Sequence, residues 1–177
     1  MTRSFTRLAA ALAGALVLAA CTPTFNWRET PIGDDGMTAL LPCKPDRATR
    51  ALPLGAATVS VDMAGCEAGG ATFAVAHASA TDRVQAEAWL GAWRAALRVQ
   101  LGGAKGVEGV AAVPRAALTP APVRLDVPAV DGVRAATHVL WFAQARGAQV
   151  ALYQATVVGT PSSPEALSTF FEGLHLP

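Results

Sequence analysis

Cysteine and histidine are the residues of this chain best suited to covalent, metal or acid–base chemistry, and the sequence contains three of each. His77, His138 and His175 lie far apart, and none has a cysteine, a second histidine or a carboxylate at the spacing of metal ligands. The sequence also lacks a Gly-x-Ser-x-Gly elbow and a phosphate-binding glycine loop. We therefore predict no metal site, no cofactor and no catalytic residue, and we expect that the protein is not an enzyme.

Cys21 follows a segment that is typical of protein export. Arg3 and Arg7 give this segment a positive start, and residues 8–20 are all apolar or glycine. This order is that of a secretory signal rather than of a structural helix. The apolar stretch is also shorter than the ~20 residues that a membrane span needs. The sequence thus predicts a signal peptide over residues 1–20.

The end of that segment, Leu18-Ala19-Ala20-Cys21, resembles the lipobox of bacterial lipoproteins, in which the cysteine becomes an acylated N-terminus. The resemblance implies two or three acyl chains on Cys21, which suffice for stable anchoring in a lipid bilayer. Thr22, rather than aspartate, follows the cysteine. The Gram-negative sorting rule that comes with this resemblance then favours the outer membrane, with the domain facing the periplasm. A plain signal peptide and a membrane-spanning anchor are the alternatives.

The rest of the chain has the size and charge of one ordinary, nearly neutral domain. The full chain has a formal net charge of +1, and two arginines leave with the signal peptide. Lys44 and Lys105 are the only lysines in the sequence. Because nucleic-acid binding requires clustered cations, this composition argues against a nucleic-acid partner.

Cys43 and Cys66 form an even pair once Cys21 is assigned to lipid. In an oxidising compartment, such a pair favours a disulfide bond. Two separate buried thiols are a second possibility. A redox-active pair is a third, although the sequence has no Cys-x-x-Cys motif and no neighbouring histidine.

Residues 21–35 are predicted to be the lipidated cysteine and a tether, and residues 36–177 a single domain. Residues 21–35 contain few apolar side chains and are interrupted by Pro23, Pro31 and Gly33. We interpret Asp34-Asp35 as part of a solvated tether, and a weak cation site is the alternative. Phe25 and Trp27 are unusual for a flexible linker, so we expect them to fold back onto the domain. Contact with the membrane interface is the alternative.

The hydrophobic pattern of residues 37–158 predicts strands and one long helix. Short turns at Gly55-Ala56-Ala57, Gly65 to Gly70 and Arg146-Gly147 separate alternating segments. Residues 106–128 give a weaker signal, in which 123–127 is the best strand. A second helix is predicted after Ser163-Pro164-Glu165. We therefore expect an α+β fold, in which a mainly antiparallel sheet packs against one long helix and a C-terminal helix.

Residues 82–101 give the clearest helix in the sequence. Asp82 is a suitable N-cap with Gln85 three residues later, and Gly102-Gly103 would end the helix. Trp89 and Trp93 lie on one apolar stripe, which is typical of a helix packed on a sheet. A ligand or partner surface at these two tryptophans is the alternative.

Several short motifs, taken in order, resemble uncharacterised lipoproteins of Burkholderiales-type proteobacteria. More loosely, they resemble the PsbP/Mog1-like α/β sandwich, which places a Pro-x-x-Pro turn early and a helix after a Tyr-Gln strand. This resemblance covers nearly the whole chain after the signal and implies no catalytic site. Cys43 stands where such a turn often has glycine. The motifs are Phe25-Asn26-Trp27-Arg28-Glu29, Leu41-Pro42-Cys43-Lys44-Pro45 with Thr49-Arg50, Ala71-Thr72-Phe73-Ala74-Val75, Leu152-Tyr153-Gln154 and Phe170-Phe171-Glu172-Gly173-Leu174.

Three functions are compatible with these features. The first is a membrane-anchored envelope lipoprotein whose domain is a non-enzymatic interaction or assembly module, with an envelope protein as partner. The second is a periplasmic carrier or sensor that binds a small apolar ligand near Trp89 and Trp93. The third is a hydrolase whose residues come together only in the fold. A filled core with an exposed apolar patch would favour the first, a deep pocket the second, and a buried Ser-His-Asp or paired-carboxylate cluster the third.

Overall fold

The computed structural model describes residues 23–177, so Cys21 and the predicted signal peptide at 1–20 lie outside the described residues. Within this range the chain forms ten strands and two helices, which confirms the mixed α+β class with mainly antiparallel strands. The strands are β1 (Arg28–Ile32), β2 (Met37–Leu41), β3 (Asp46–Leu54), β4 (Ala57–Ala68), β5 (Ala71–Ala80), β6 (Val107–Val110), β7 (Val123–Val127), β8 (Thr137–Arg146), β9 (Gln149–Gly159) and β10 (Leu174–His175). The helices are α1 (Arg83–Gln100) and α2 (Glu165–Glu172).

Seven strands form the large sheet, in the order β3-β4-β5-β9-β8-β7-β6. Two-residue turns close the hairpins β3–β4 and β8–β9. The first residue of each turn, Gly55 or Gly147, has a positive φ, which tight hairpin turns require and glycine adopts without strain. The second turn is one residue later than predicted, because Arg146 pairs with Gln149 across it.

The small sheet has three strands, in the order β1-β2-β10. Its first strand differs from the predicted tether over residues 28–32. Only Thr30 and Ile32 of β1 are buried, so the segment is too polar to show a strand pattern in its sequence. Pro31 is tolerated there because β1 is an edge strand, where a missing N–H breaks no ladder.

A separate core lies on each face of the large sheet. α1 covers one face, where Leu90 and Trp93 pack with Trp141 and Leu152. The small sheet and α2 cover the other face, where the largest buried side chains are Phe73, Phe142, Tyr153 and Phe170. Since both faces of the sheet are buried, its central strands are apolar on both sides.

The capping residues of α1 are those that the sequence predicts. The Asp82 carboxylate accepts a hydrogen bond from the backbone N–H of Gln85, at 2.8 Å. In return, the side-chain oxygen of Gln85 accepts one from the backbone N–H of Thr81, also at 2.8 Å. These bonds satisfy two donors at the start of the helix and fix where it begins.

One end of the large sheet receives the N-terminal part of the described chain, and we call it the Phe25 end. It consists of the β4–β5 turn at Gly69-Gly70, the loop 128–136 between β7 and β8, and the loop 160–164 after β9. The opposite end carries the hairpin turns β3–β4 and β8–β9. Among residues 23–177, neither helix has the length and apolar character of a membrane span.

Candidate functional site

Cys43 and Cys66 are joined in a disulfide bond, as predicted, with their Cα atoms 6.0 Å apart. Cys43 follows β2, whereas Cys66 lies within β4 rather than in the predicted turn. Gly65 suggested that turn, but it is a strand residue opposite Ala74. A Cβ at Gly65 would lie 2.8 Å from the carbonyl oxygen of Phe73, so close backbone approach explains this glycine. The bond links the small sheet to the large one.

The two tryptophans of α1 lie against the large sheet. Trp93 is only 6% exposed, and Trp89 is half-buried at the same core. The groove beside Trp93 has a volume of about 130 Å³ and is lined by Leu52, Pro53, Leu54, Trp93, Ala96, Leu97, Gln100 and Gln154. Ligand pockets usually measure about 300–1,000 Å³. The stripe therefore serves packing, and this groove is small for a carrier site.

His77, Asp35 and Ser79 come together on the face of the large sheet that the small sheet covers. His77 is 6% exposed, and its Nε2 lies 2.7 Å from the Asp35 carboxylate. Ser79 lies 3.4 Å from both groups. Asp35 is thus a partner of a buried histidine rather than a solvated tether residue. No local pattern could reveal this cluster, because 42 residues separate Asp35 from His77.

This cluster does not have the geometry of a hydrolase triad. In a triad, serine and aspartate bond to different nitrogens of the histidine ring. Here Asp35 and Ser79 both approach Nε2, while Nδ1 has no hydrogen-bond partner among the described residues. Nδ1 instead faces Gly33, where an added Cβ would come within 2.4 Å of it. The arrangement therefore fastens the β1–β2 turn onto β5 and provides no proton relay.

Tyr153 extends this buried polar group across the sheet. Its ring lies 5.1 Å from those of His77 and Phe142. Burial, together with the negative charge of Asp35, raises the pKa of Tyr153 well above its ordinary value. The phenol is therefore protonated at physiological pH, and its hydroxyl has no hydrogen-bond partner among residues 23–177.

A second charged cluster lies on the same face, near α2. Asp126 accepts hydrogen bonds from the Nε of Arg124, at 2.9 and 3.0 Å, and it pairs with the Nδ1 of His138 at 2.6 Å. Partial burial acts to raise the pKa of Asp126, but the bonds from Arg124 and His138 outweigh it and hold that pKa below its ordinary value. Asp126 is therefore a charged partner that fixes both side chains.

Arg124 also borders a cleft between α2 and the segment that follows β6. Its guanidinium lies 4.3 Å from the centre of the Phe171 ring, which is cation–π geometry. The cleft has a volume of about 430 Å³ and is lined by Ala111, Ala112, Val113, Pro114, Arg124, Leu140, Ser168, Phe171, Glu172 and Leu174. It combines an apolar wall with two oppositely charged residues, Arg124 and Glu172, and has the size of a small-molecule site.

β6 forms an edge of the large sheet, and no described strand pairs with its outer side. Val107 and Val110 on this strand are 76% and 87% exposed. Glu108 lies on the α1 face, where it is hydrogen-bonded to both Arg94 and Arg98. These contacts hold the edge strand to the helix. The hydrophobic pattern predicts no clear strand at 107–110, because all four residues are exposed and one is glycine.

The other edge of the large sheet differs in its side chains. β3 carries Asp46, Arg47, Arg50 and Pro53. Charged residues and proline are the usual means by which proteins prevent a sheet edge from pairing with another chain. β6 is short, but it has neither proline nor an unpaired charge. It is therefore the edge better suited to accept a further strand.

The segment before β1 rests on the core rather than in solvent. Phe25 stacks with Trp27, whose ring packs edge-on against Phe73. The backbone N–H of Asn26 donates to the carbonyl of Pro42, at 2.7 Å. A Cβ at Gly69 would lie 2.4 Å from the Phe25 ring, so glycine makes room for that ring. Phe25 and Trp27 therefore fold back onto the domain, as predicted.

No protein-family model matches this chain, and no curated protein matches it. Among residues 23–177, no group of three histidine, cysteine or acidic side chains is arranged to hold a metal ion.

Proposed function

We propose that this protein is a lipid-anchored protein of the bacterial cell envelope, whose α+β domain binds an extended segment of a partner protein along the free edge of β6. The anchor is argued from the sequence around Cys21, which lies outside the described residues. The observation that carries the binding role is the unpaired edge of β6 with its two exposed valines. The proposed location is the periplasmic face of the outer membrane.

Replacing Cys21 by serine should abolish acylation and release the protein from the membrane or leave it unprocessed. A Thr22→Asp variant should still be acylated but should move to the inner membrane. Fatty-acid labelling and membrane fractionation measure both effects. Labelling that persists in Cys21→Ser would contradict the proposed anchor. An unchanged location of Thr22→Asp would contradict the sorting argument alone.

The edge of β6 is suited to a partner strand for two physical reasons. An added strand forms main-chain hydrogen bonds along the edge, and exposed side chains on each face supply the contacts that select it. Val107 and Val110 lie on opposite faces of β6 and offer such contacts to either side of an added strand. Arg94 and Arg98 share one carboxylate, that of Glu108, so the charge beside β6 is positive. This favours a neutral or acidic segment.

A photoreactive amino acid at Gly109 should crosslink to one envelope protein in intact membranes. A Cβ at this position meets nothing within 4 Å, so the probe fits without disturbing the domain. Gly91 on α1 is equally open and gives the matched control, which should form no such product. The product should disappear in a Val107→Lys/Val110→Lys variant, because lysine on an edge strand opposes pairing.

A second double-lysine variant is the control that distinguishes loss of strand pairing at β6 from an effect of added positive charge. Val84 and Val99 on α1 are 77% and 80% exposed, close to the values for the β6 valines. Val84→Lys/Val99→Lys should therefore leave the crosslink intact. Equal loss in both double variants would contradict the proposed binding edge, and a product consisting of two copies of this chain would contradict the proposed envelope-protein partner.

The carrier role is a second candidate, favoured by the cleft of about 430 Å³ rather than by the groove at Trp93. Its apolar wall suits the chain of a small fatty acid, and Arg124, although already paired with Asp126, is the cation at its border. Decanoate should bind saturably in a calorimetric titration, and Ser168→Trp should block binding because Ser168 lines the cleft. Val99→Trp on α1 is the control and should bind normally. No heat of binding with the wild-type protein at two well-separated temperatures would eliminate this candidate, because burial of an apolar chain makes the binding enthalpy depend on temperature.

We also propose that the domain is related to the PsbP/Mog1-like sandwich. An antiparallel sheet covered on both faces, with a helix after the strand that contains Tyr153-Gln154, supports this relation. An experimental structure of a relative with the same order of strands would test it.

A further inference from the structure

We infer that the Phe25 end of the domain lies against the lipid bilayer, with Val133 at the tip of the β7–β8 loop in contact with lipid. This inference rests on the proposed acylation of Cys21. The contacts of Phe25, the length of chain before it and the apolar residues at this end of the sheet each contribute to the argument.

The chain between the proposed anchor and the folded domain is very short. Only Thr22, Pro23 and Thr24 separate Cys21 from Phe25. Even a fully extended chain spans at most ~14 Å over these four steps. The headgroup layer on one side of a bilayer takes up about 5–7 Å of that length. An acylated Cys21 therefore holds Phe25 close to the membrane surface.

Phe25 is itself fixed to a defined place on the domain. Its ring occupies the space above Gly69 and Ser162, in the β4–β5 turn and the loop after β9. The hydrogen bond from Asn26 to Pro42 holds the next residue. Because these contacts attach the segment to one end of the large sheet, the short spacer determines the orientation of the domain as well as its distance from the membrane.

The same end of the sheet exposes apolar side chains. Val133 is 79% exposed at the tip of the β7–β8 loop, and Val130 and Val158 are partly exposed beside it. This loop is ordered by two backbone hydrogen bonds between Val130 and Arg134, of 2.8 and 2.9 Å. From the spacing of neighbouring strands, the loop lies ~10–15 Å from the β4–β5 turn. Val133 is therefore within the area that the spacer brings to the bilayer.

The charges around this end favour apolar contact over electrostatic attraction. The strand register places four basic residues at this end against five acidic ones, namely Arg28, Lys44, Lys105 and Arg134 against Glu29, Asp46, Glu67, Asp131 and Glu165. A surface without net positive charge gains little from anionic lipid. The expected contact is a valine at the level of the headgroups, supported by the acyl chains on Cys21, and it should persist at high salt.

A fluorescent probe at Val133 tests this orientation in the acylated protein. We would label Val133→Cys with an NBD maleimide and place the protein in vesicles of phosphatidylethanolamine and phosphatidylglycerol. Cys43 and Cys66 are bonded to each other, so they do not react. NBD emission should rise several-fold on insertion and should be quenched by lipids with a nitroxide headgroup. Ala148→Cys, in the exposed turn at the opposite end, is the matched control and should show neither effect.

A longer spacer tests whether chain length sets the orientation. A Gly/Ser insert of about twelve residues between Pro23 and Thr24 spans ~20 Å on average. It should return the Val133 probe to the emission of the Ala148 probe while the protein stays on the vesicles. A probe that remains shielded with the long spacer would overturn the inference.

The remaining outcomes separate the inference from the proposed function. Protein that lacks acyl chains by mass and does not float with vesicles would refute the anchor. Protein that floats normally but has a solvent-exposed probe at Val133 would refute only the orientation. Shielding of Val133 in native membranes but not in lipid vesicles would show that a protein covers this surface, and it would likewise overturn the inference.

Discussion

Replacing Trp93 by alanine is expected to lower the free energy of unfolding by about 3–5 kcal/mol. The indole is 6% exposed and fills the space between α1 and the large sheet. The same core contains the small side chains Ala76, Ala78 and Ala80 of β5, which cannot expand to fill a cavity. The loss would be a large share of the ~5–15 kcal/mol by which domains are usually stable. Urea unfolding of a non-acylated Cys21→Ser form without residues 1–20 measures it.

Val99→Ala is the control for this prediction. Val99 lies on the same helix but is 80% exposed, so its truncation should change stability by no more than about 0.5 kcal/mol. Arg94 is unsuitable as a control because it contacts Glu108 and its guanidinium lies 5.9 Å from the centre of the Trp141 ring. If Trp93→Ala left stability unchanged but abolished binding, the stripe would be a functional surface.

Removal of the disulfide should have the second-largest effect. The double variant Cys43→Ala/Cys66→Ala is expected to be less stable by about 3 kcal/mol, the value of the chain-entropy relation for a loop of this size. The bonded residues are 23 positions apart. The bond also joins the chain after β2 to β4, so its loss should loosen the small sheet first. Urea midpoints with and without reductant measure the effect.

Reductant provides the control within the same experiment. It should lower the midpoint of the wild-type protein by the amount seen in the double variant, and it should leave the double variant unchanged. A wild-type midpoint that is insensitive to full reduction would show that the bond contributes little. Modest loss would instead show that the shared core, in which Phe73 of β5 packs 5.4 Å from Phe170 of α2, holds the covering layer on the large sheet.

Local sequence signals predicted the helix and hairpins that are specified by residues close together in the chain. Asp82, Gln85 and the apolar stripe define α1 within one residue, since caps and periodicity act over a few positions. The glycine turns likewise predicted both long hairpins. The partnership of Cys43 with Cys66 followed from their number and from the proposed compartment. These inferences required no knowledge of how distant segments meet.

The missed features depend on contacts between distant parts of the chain. β1 is recognisable only once β2 lies beside it, because two of its five residues face the core. The bond between Asp35 and His77 arises because the β1–β2 turn folds over β5. The free edge of β6 has no sequence signal, since its exposed valines resemble a loop until the order of strands is known. The free edge of β6 and the Phe25 end can therefore be recognised only once the order of strands is known.

The order of strands in the small sheet has a consequence for the timing of maturation. β2 lies between β1, which begins at Arg28, and β10, which ends at His175. The sheet can close only after nearly the whole chain has been exported. Phe25 and Trp27 rest on a core that includes Phe170, so their final positions also form late. In the lipid-anchored protein proposed here, the segment next to Cys21 would therefore reach its final place on the domain only after the C-terminal helix has been exported.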